Sequence, residues 1–110
     1  MPGKFVIKKG KDGQFYFALK AANSQTVLQS EGYKTMKSCQ NGIESVRKNS
    51  QDTKRFVCNT AKDGRTYFVL KASNGQEVGR SQMYKSNSGC KNGMKSVAAS
   101  SQGADVVLPE

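Results

Sequence analysis

The sequence predicts an α+β fold in which two similar halves share one core, and three observations carry the prediction. Residues 5–46 return at 56–97, shifted by 51 positions without a gap and identical at about half of the aligned positions. Each copy opens with period-2 alternation between turn signals and closes with helical spacing of apolar residues. The chain has 110 residues, and a half of about 50 residues buries too little surface to be stable alone. Two copies are too few for a solenoid, which needs at least about three units to bury a continuous core. A pair of halves related by a pseudo-two-fold axis is the economical alternative, the intrachain counterpart of a symmetric dimer. The expected organisation is one domain over 1–110, with one repeat at 4–50 and the other at 54–110, in a monomer with internal pseudo-symmetry.

Each half begins with a strand, at 5–9 and 56–60. Lys11-Asp12-Gly13 and Lys62-Asp63-Gly64 follow. Asp-Gly between strand-like runs predicts a hairpin whose favoured turn has positive φ at both central residues. The second strands, 14–20 and 65–71, alternate. Phe15, Phe17 and Leu19 share one face, matched by Thr66, Phe68 and Leu70; Tyr16, Ala18 and Lys20 share the other, matched by Tyr67, Val69 and Lys71. The first face stays apolar in both copies and is the expected core side.

Asn23-Ser24 and Asn74-Gly75 mark a second turn, and third strands follow at 26–30 and 77–81 with Val27 and Val78 inward. Each half is thus a three-stranded meander. A helix comes next, with Thr35 and Ser86 as N-caps, since a hydroxyl there accepts from exposed backbone N–H groups. Met36, Cys39, Ile43 and Val46 form its apolar stripe, and Cys90, Met94 and Val97 carry most of the stripe in the second copy. Glycine inside a helix costs about 1 kcal/mol relative to alanine. Gly42 and Gly93 nevertheless occupy equivalent positions, which predicts close approach of the helix backbone to the sheet or to the other helix. Tyr33-Lys34 and Tyr84-Lys85, just before the helices, are expected to wedge helix onto sheet. Residues 49–53 form a short polar linker. In the tail, Val106-Val107-Leu108 can add a terminal strand that Pro109 stops.

Charge and composition narrow the function classes. The chain carries 18 basic and 8 acidic side chains, a net charge of +10, which favours polyanionic partners: nucleic acid, anionic lipid or an acidic protein. No segment approaches the roughly 20 apolar residues of a membrane span, so no membrane partner is expected. Three cysteines without close spacing make no disulfide framework, and the chain reads as cytoplasmic with free thiols. There is no histidine, which removes the commonest general base and the commonest metal ligand. No phosphate-binding glycine loop or paired-carboxylate spacing is present, and no catalytic residue, cofactor or metal is expected. Asp12 and Asp63 fall in the turns, where aspartate has a conformational role. Cys39 and Cys90 sit near helix N-termini, where the dipole can depress a thiol pKa. Both also lie on the apolar stripe with no acid or base beside them, so they are read as buried core residues. Cys58 takes the place of Ile7 and reads as a strand filler.

The remaining constellation is aromatic and basic. On the face opposite the core, Tyr16 lies with Lys20 and Tyr67 with Lys71, and Lys8, Lys34 and Lys85 are candidates for the surroundings. An open sheet presenting tyrosines among lysines can stack single-stranded bases while neutralising phosphates. No recognition-helix pattern is visible for duplex reading. The expectation is a non-enzymatic binding module for single-stranded nucleic acid or RNA. The alternative is a protein-interaction module using the open face or an edge strand.

Specific runs also resemble a known family. Phe15-Tyr16-Phe17-Ala18-Leu19-Lys20-Ala21-Ala22-Asn23, Ser30-Glu31-Gly32-Tyr33 and Asn41-Gly42-Ile43-Glu44-Ser45-Val46-Arg47 are similar to motifs of the YegP-like family of small bacterial proteins. The second copy matches through residues 67–75, 82–84 and 92–97. The resemblance implies β-β-β-α-β units in tandem, forming one antiparallel sheet with both helices on one face and the last strands exchanged. It further implies that 54–59 closes the first unit while opening the second, and that 105–108 is the matching final strand. It brings no activity and no binding residues, and it implies small residues at Cys39 and Cys90.

Overall fold

The computed structural model describes residues 3–109; Met1, Pro2 and Glu110, which the expected 1–110 domain includes, lie outside the described residues. In chain order the elements are β1 (Lys4–Lys9), β2 (Phe15–Lys20), β3 (Thr26–Gln29), α1 (Met36–Asn49), a 3₁₀ turn (Thr53–Arg55), β4 (Phe56–Thr60), β5 (Thr66–Lys71), β6 (Glu77–Arg80), α2 (Asn87–Ser101) and β7 (Asp105–Val107). Seven strands form one sheet in the order β4-β5-β6-β3-β2-β1-β7. From β4 to β1 every pairing is antiparallel, as expected. β7 joins β1 in parallel, which makes the sheet mixed. A strand delivered by a helix crossover is not tied to its neighbour by a hairpin and is free to lie parallel. The exchange is present once: β7, after α2, crosses to pair with β1 of the first half, while β4, after α1, pairs with β5 as β1 pairs with β2.

The four hairpin turns differ from the expected type. Gly13, Ser24, Gly64 and Gly75 have φ of 81°, 70°, 87° and 85°, while the preceding Asp or Asn does not take positive φ. Gly13 N–H donates to Gly10 O and Gly10 N–H to Gln14 O, a type I turn followed by one left-handed residue. The Asp and Asn side chains have a different task. Asp12, Asn23, Asp63 and Asn74 each accept the backbone N–H two residues on, at 3.0, 3.0, 3.1 and 3.0 Å. That bond holds the turn without needing positive φ at the acceptor. Separately, one extra residue in β3 and one in β6, Val27 and Val78, shift the register at Leu19/Lys20 and at Leu70/Lys71.

Both helices cover one face. Thr35 Oγ1 accepts from Ser38 N–H and Ser86 Oγ from Gly89 N–H, confirming the caps. The core combines Phe5, Ile7, Phe17, Leu19, Phe68 and Leu70 from the sheet with Cys39, Ile43, Val46, Cys90 and Val97 from the helices. The glycine approach is helix to sheet. A Cβ on Gly42 would overlap the Tyr33 hydroxyl and lie 2.7 Å from Cζ, and one on Gly93 would do the same to Tyr84. Those tyrosines are the expected wedges, stacked on Phe17 at 6.1 Å and on Phe68 at 6.2 Å.

The pseudo-axis can be located from contacts between residues 51 apart and from pairs of bonds that the repeat makes equivalent. Gln29 pairs with Arg80 where β3 meets β6. On the helix layer Ser50 Oγ meets Ser101 Oγ at 2.9 Å. Gln51 Nε2 donates to Ala98 O while Gln102 Nε2 donates to Arg47 O, both at 3.0 Å. Symmetry breaks at one core position. Leu28 is fully buried, and its counterpart Gly79 has no room for a Cβ, which would stand 2.9 Å from Leu28 Cδ2. One leucine fills the axis for both halves.

Candidate functional site

The open face is set by strand alternation. Register pairs Lys4 with Lys20, Val6 with Ala18 and Lys8 with Tyr16, so these six side chains share the face that the helices leave bare. In the second half Val57 pairs with Val69 and Asn59 with Tyr67, and Val69 pairs with Arg80 and Lys71 with Glu77. All four expected residues, Tyr16, Lys20, Tyr67 and Lys71, therefore lie on one surface. Tyr16 and Tyr67 are separated laterally by three strand spacings, roughly 14 Å. Lys8 belongs to the same surface; Lys34 and Lys85 precede the helices and are exposed there.

The two halves present different chemistry. In the first, Tyr16 Oη donates to Asp12 Oδ2 at 2.7 Å, which ties the end of the ring to the turn. That hydroxyl, with the Gln14 N–H, holds the Asp12 carboxyl below its ordinary range, and the same bond raises the Tyr16 phenol. Beside the ring, Val6, Lys8, Ala18, Gln29 and Ser30 line a shallow hollow of about 240 Å³. Ala18 is its floor.

In the second half the larger Val69 stands at the position of Ala18 and is 4% exposed. Arg80 lies over the Tyr67 ring, its Cζ 5.7 Å from the centroid. It is held by Glu77, whose two oxygens accept from Nε and Nη2 at 3.1 Å each. Sequence reasoning did not single out Arg80; the alternation that put Tyr67 on this face, extended across β6, identifies it. Lys71 stands opposite Glu77, and Lys4 opposite Asp105 of β7. Lys8 lines the Tyr16 hollow, while Lys20 lies farther along β2, opposite Lys4.

The thiols separate as the apolar stripe predicts, with one addition. Cys39 and Cys90 are fully buried, and burial raises both. Cys58 lies in β4 and is exposed, because β4 is an edge strand. Its Sγ lies 3.0 Å from Cys90 Sγ. Burial first, and then the bond and charge of Cys58, push the Cys90 thiol up to about 12. A raised pKa is the reverse of nucleophile activation. Among the described residues no group of three or more Cys, Asp or Glu could hold a metal ion, and no helix is long and apolar enough to cross a membrane.

Comparison with known proteins places this architecture. The model of a domain of unknown function, DUF1508, matches twice, at residues 11–56 and 61–107. A UPF0339 protein of Pasteurella multocida is 53% identical over 95 residues, covering 86% of this chain and 83% of its own. The UPF0339 protein YegP of Escherichia coli is 46% identical over 99 residues, 90% of each chain. The solution NMR structure of E. coli YegP, described as a protein of unknown function, superposes with a TM-score of 0.93 at 42% identity, over 98% of this chain and 93% of that one. A Shewanella oneidensis UPF0339 structure gives 0.91 at 40% identity, over 98% and 92%. With the DUF1508 pattern in both halves and the same sheet in solved relatives, the chain belongs to the UPF0339, or YegP-like, family, whose biochemical function is unknown.

Proposed function

We propose that this protein is a non-enzymatic binding module whose open sheet face takes single-stranded nucleic acid, RNA included. The observation that carries the reading is the hollow beside Tyr16. A ring fixed at its hydroxyl by Asp12, a small Ala18 floor and the Lys8 rim suit a base stacked on the tyrosine with its phosphate near the lysine. Lys20 extends the phosphate track along β2. Tyr67 enters through Arg80, whose guanidinium plane offers a second stacking surface. The net charge of +10 supplies attraction to any polyanion. No histidine and no convergent acid/base pair accompany the face, which favours binding over chemistry, and a cytoplasmic location suits the free thiols.

The test is a titration of short labelled RNA and DNA oligonucleotides, single-stranded and duplex, at two salt concentrations. Binding is expected to prefer single strands and to weaken steeply with salt. Tyr16→Ala should weaken it by about 1 to 3 kcal/mol, and Tyr67→Ala by less, since Arg80 remains. Binding indifferent to Tyr16, or absent near physiological salt, overturns the reading and leaves the charge as a solubility feature.

A further inference from the structure

The two ends of the sheet are not equivalent. At one end β7 lies along β1, with Asp105 opposite Lys4, Val106 opposite Phe5 and Val107 opposite Val6. Val106 packs on the core, and Arg47 of α1 holds the approach by donating to Ser101 O at 3.2 Å and Ala104 O at 2.7 Å. At the other end the counterparts of Lys4, Phe5 and Val6 are Arg55, Phe56 and Val57, which lead into β4. Among the described residues nothing pairs with the outer edge of β4.

The repeat itself cannot fill that place. Shifting Val107 back by 51 gives Phe56, and shifting Phe5 forward by 51 also gives Phe56. One residue cannot be both a strand and that strand's neighbour. The tandem chain therefore has seven strands where two complete β-β-β-α-β units would have eight.

The unfilled position is shaped and charged. Where the counterpart of Val106 would enter, a cavity of about 280 Å³ is lined by Thr53, Phe56, Met94 and Ala98, with Lys91 and Lys95 beside it. Ala98 stands where Arg47 stands in the occupied half. Lys91 and Lys95 replace Gln40 and Glu44, which flank β7 there. Lys54 and Arg55 precede β4. An unpaired edge is a template for strand addition, and this one is flanked by Lys91 and Lys95, while Arg55 is shared with Asp52, its Nε 3.6 Å from Oδ2. A second copy of a chain of net charge +10 would be repelled; an acidic segment would be attracted.

We infer that the outer edge of β4 is a docking slot for an extended acidic and apolar peptide of a partner protein, added parallel to β4 as an eighth strand. β7 gives the pattern. An acidic residue lies opposite Arg55, and a β-branched apolar residue opposite Phe56 enters the cavity between Met94 and Ala98. Backbone bonds to β4 supply affinity, and the cavity and lysines supply selection.

The test uses the full chain and a fluorescent peptide, Gly-Ala-Asp-Val-Val-Leu-Pro, with a control peptide carrying lysine in place of its aspartate. Saturable binding is expected by anisotropy, with slowed amide exchange in β4 and none added in β1. The control peptide, and a Lys91→Glu/Lys95→Glu variant altered only at exposed positions, should each weaken binding about tenfold. The control peptide on the unaltered chain keeps the test decisive should the variant fold poorly. Absence of saturation, binding indifferent to both charge reversals, protection at β1 instead of β4, or β4 protection explained by self-association in sedimentation each overturns the inference.

Discussion

At the scale of single residues, the meaning of a side chain depends on which neighbour the repeat gives it. Cys58 takes the position of Ile7, and Cys90 that of Cys39. Ile7 is buried in the core with Cys39, so the duplication already contained the Cys58–Cys90 contact. The exposed edge of β4 leaves the Cys58 thiol reachable while Cys90 stays closed. With a neutral thiol probe, one of the three cysteines should react promptly in the native state, and the other two only after unfolding. Cys58→Ser should remove the prompt phase. A prompt reaction at Cys90 would contradict both its burial and its upward-shifted pKa. The candidate site was legible to the same depth. Alternation put Tyr16, Lys20, Tyr67 and Lys71 on one face, but the inequality of the halves rests on Ala18 against Val69 and on Arg80. Only strand register brings those residues beside the tyrosines.

Among the elements, the helices and the six meander strands follow from local pattern, and their boundaries agree with it closely. The turns do not, because Asp-Gly and Asn-Gly suit two hairpin types; the side-chain bond from Asp or Asn to the N–H two residues on accompanies the type I turn with a left-handed fourth residue. Ser24 takes the left-handed place that glycine holds in the other three turns. β7 is the element least secured by its own sequence, with three residues and one neighbour. What holds it is Arg47. The guanidinium bonds Ser101 O and Ala104 O, lies 5.2 Å from the centroid of the Phe5 ring, and has its Nε 3.3 Å from Glu44 Oε1. Arg47→Met keeps the aliphatic packing and removes the donors. It should cost about 3 kcal/mol, from two charge-assisted bonds to backbone carbonyls, with faster amide exchange concentrated in β7. Unchanged exchange there would show that Val106 alone anchors the strand.

For the whole molecule, duplication and burial make the halves interdependent. Bonds across the pseudo-axis join Ser50 to Ser101, Gln51 to Ala98 and Gln102 to Arg47, and each half's core is closed by the other half's helix. Leu28 sharpens the point. In the intact chain it occupies the axis against Gly79. A dimer of first halves would bring two leucines to that place, and a dimer of second halves would bring two glycines and leave a void. Overpacking of this kind costs typically about 1 to 3 kcal/mol, and a missing leucine about 2 to 5. Residues 1–51 and 52–110, produced separately, are each expected to be unfolded or weakly associated by circular dichroism and size exclusion. Mixed, they should regain the native sheet, because the leucine and glycine then meet again. Gly79→Leu in the second fragment should abolish that rescue, because two leucines then meet at the axis. A stable folded monomer from either fragment alone would show that the halves do not depend on a shared core, and would leave the pseudo-axis as a contact between two independent units.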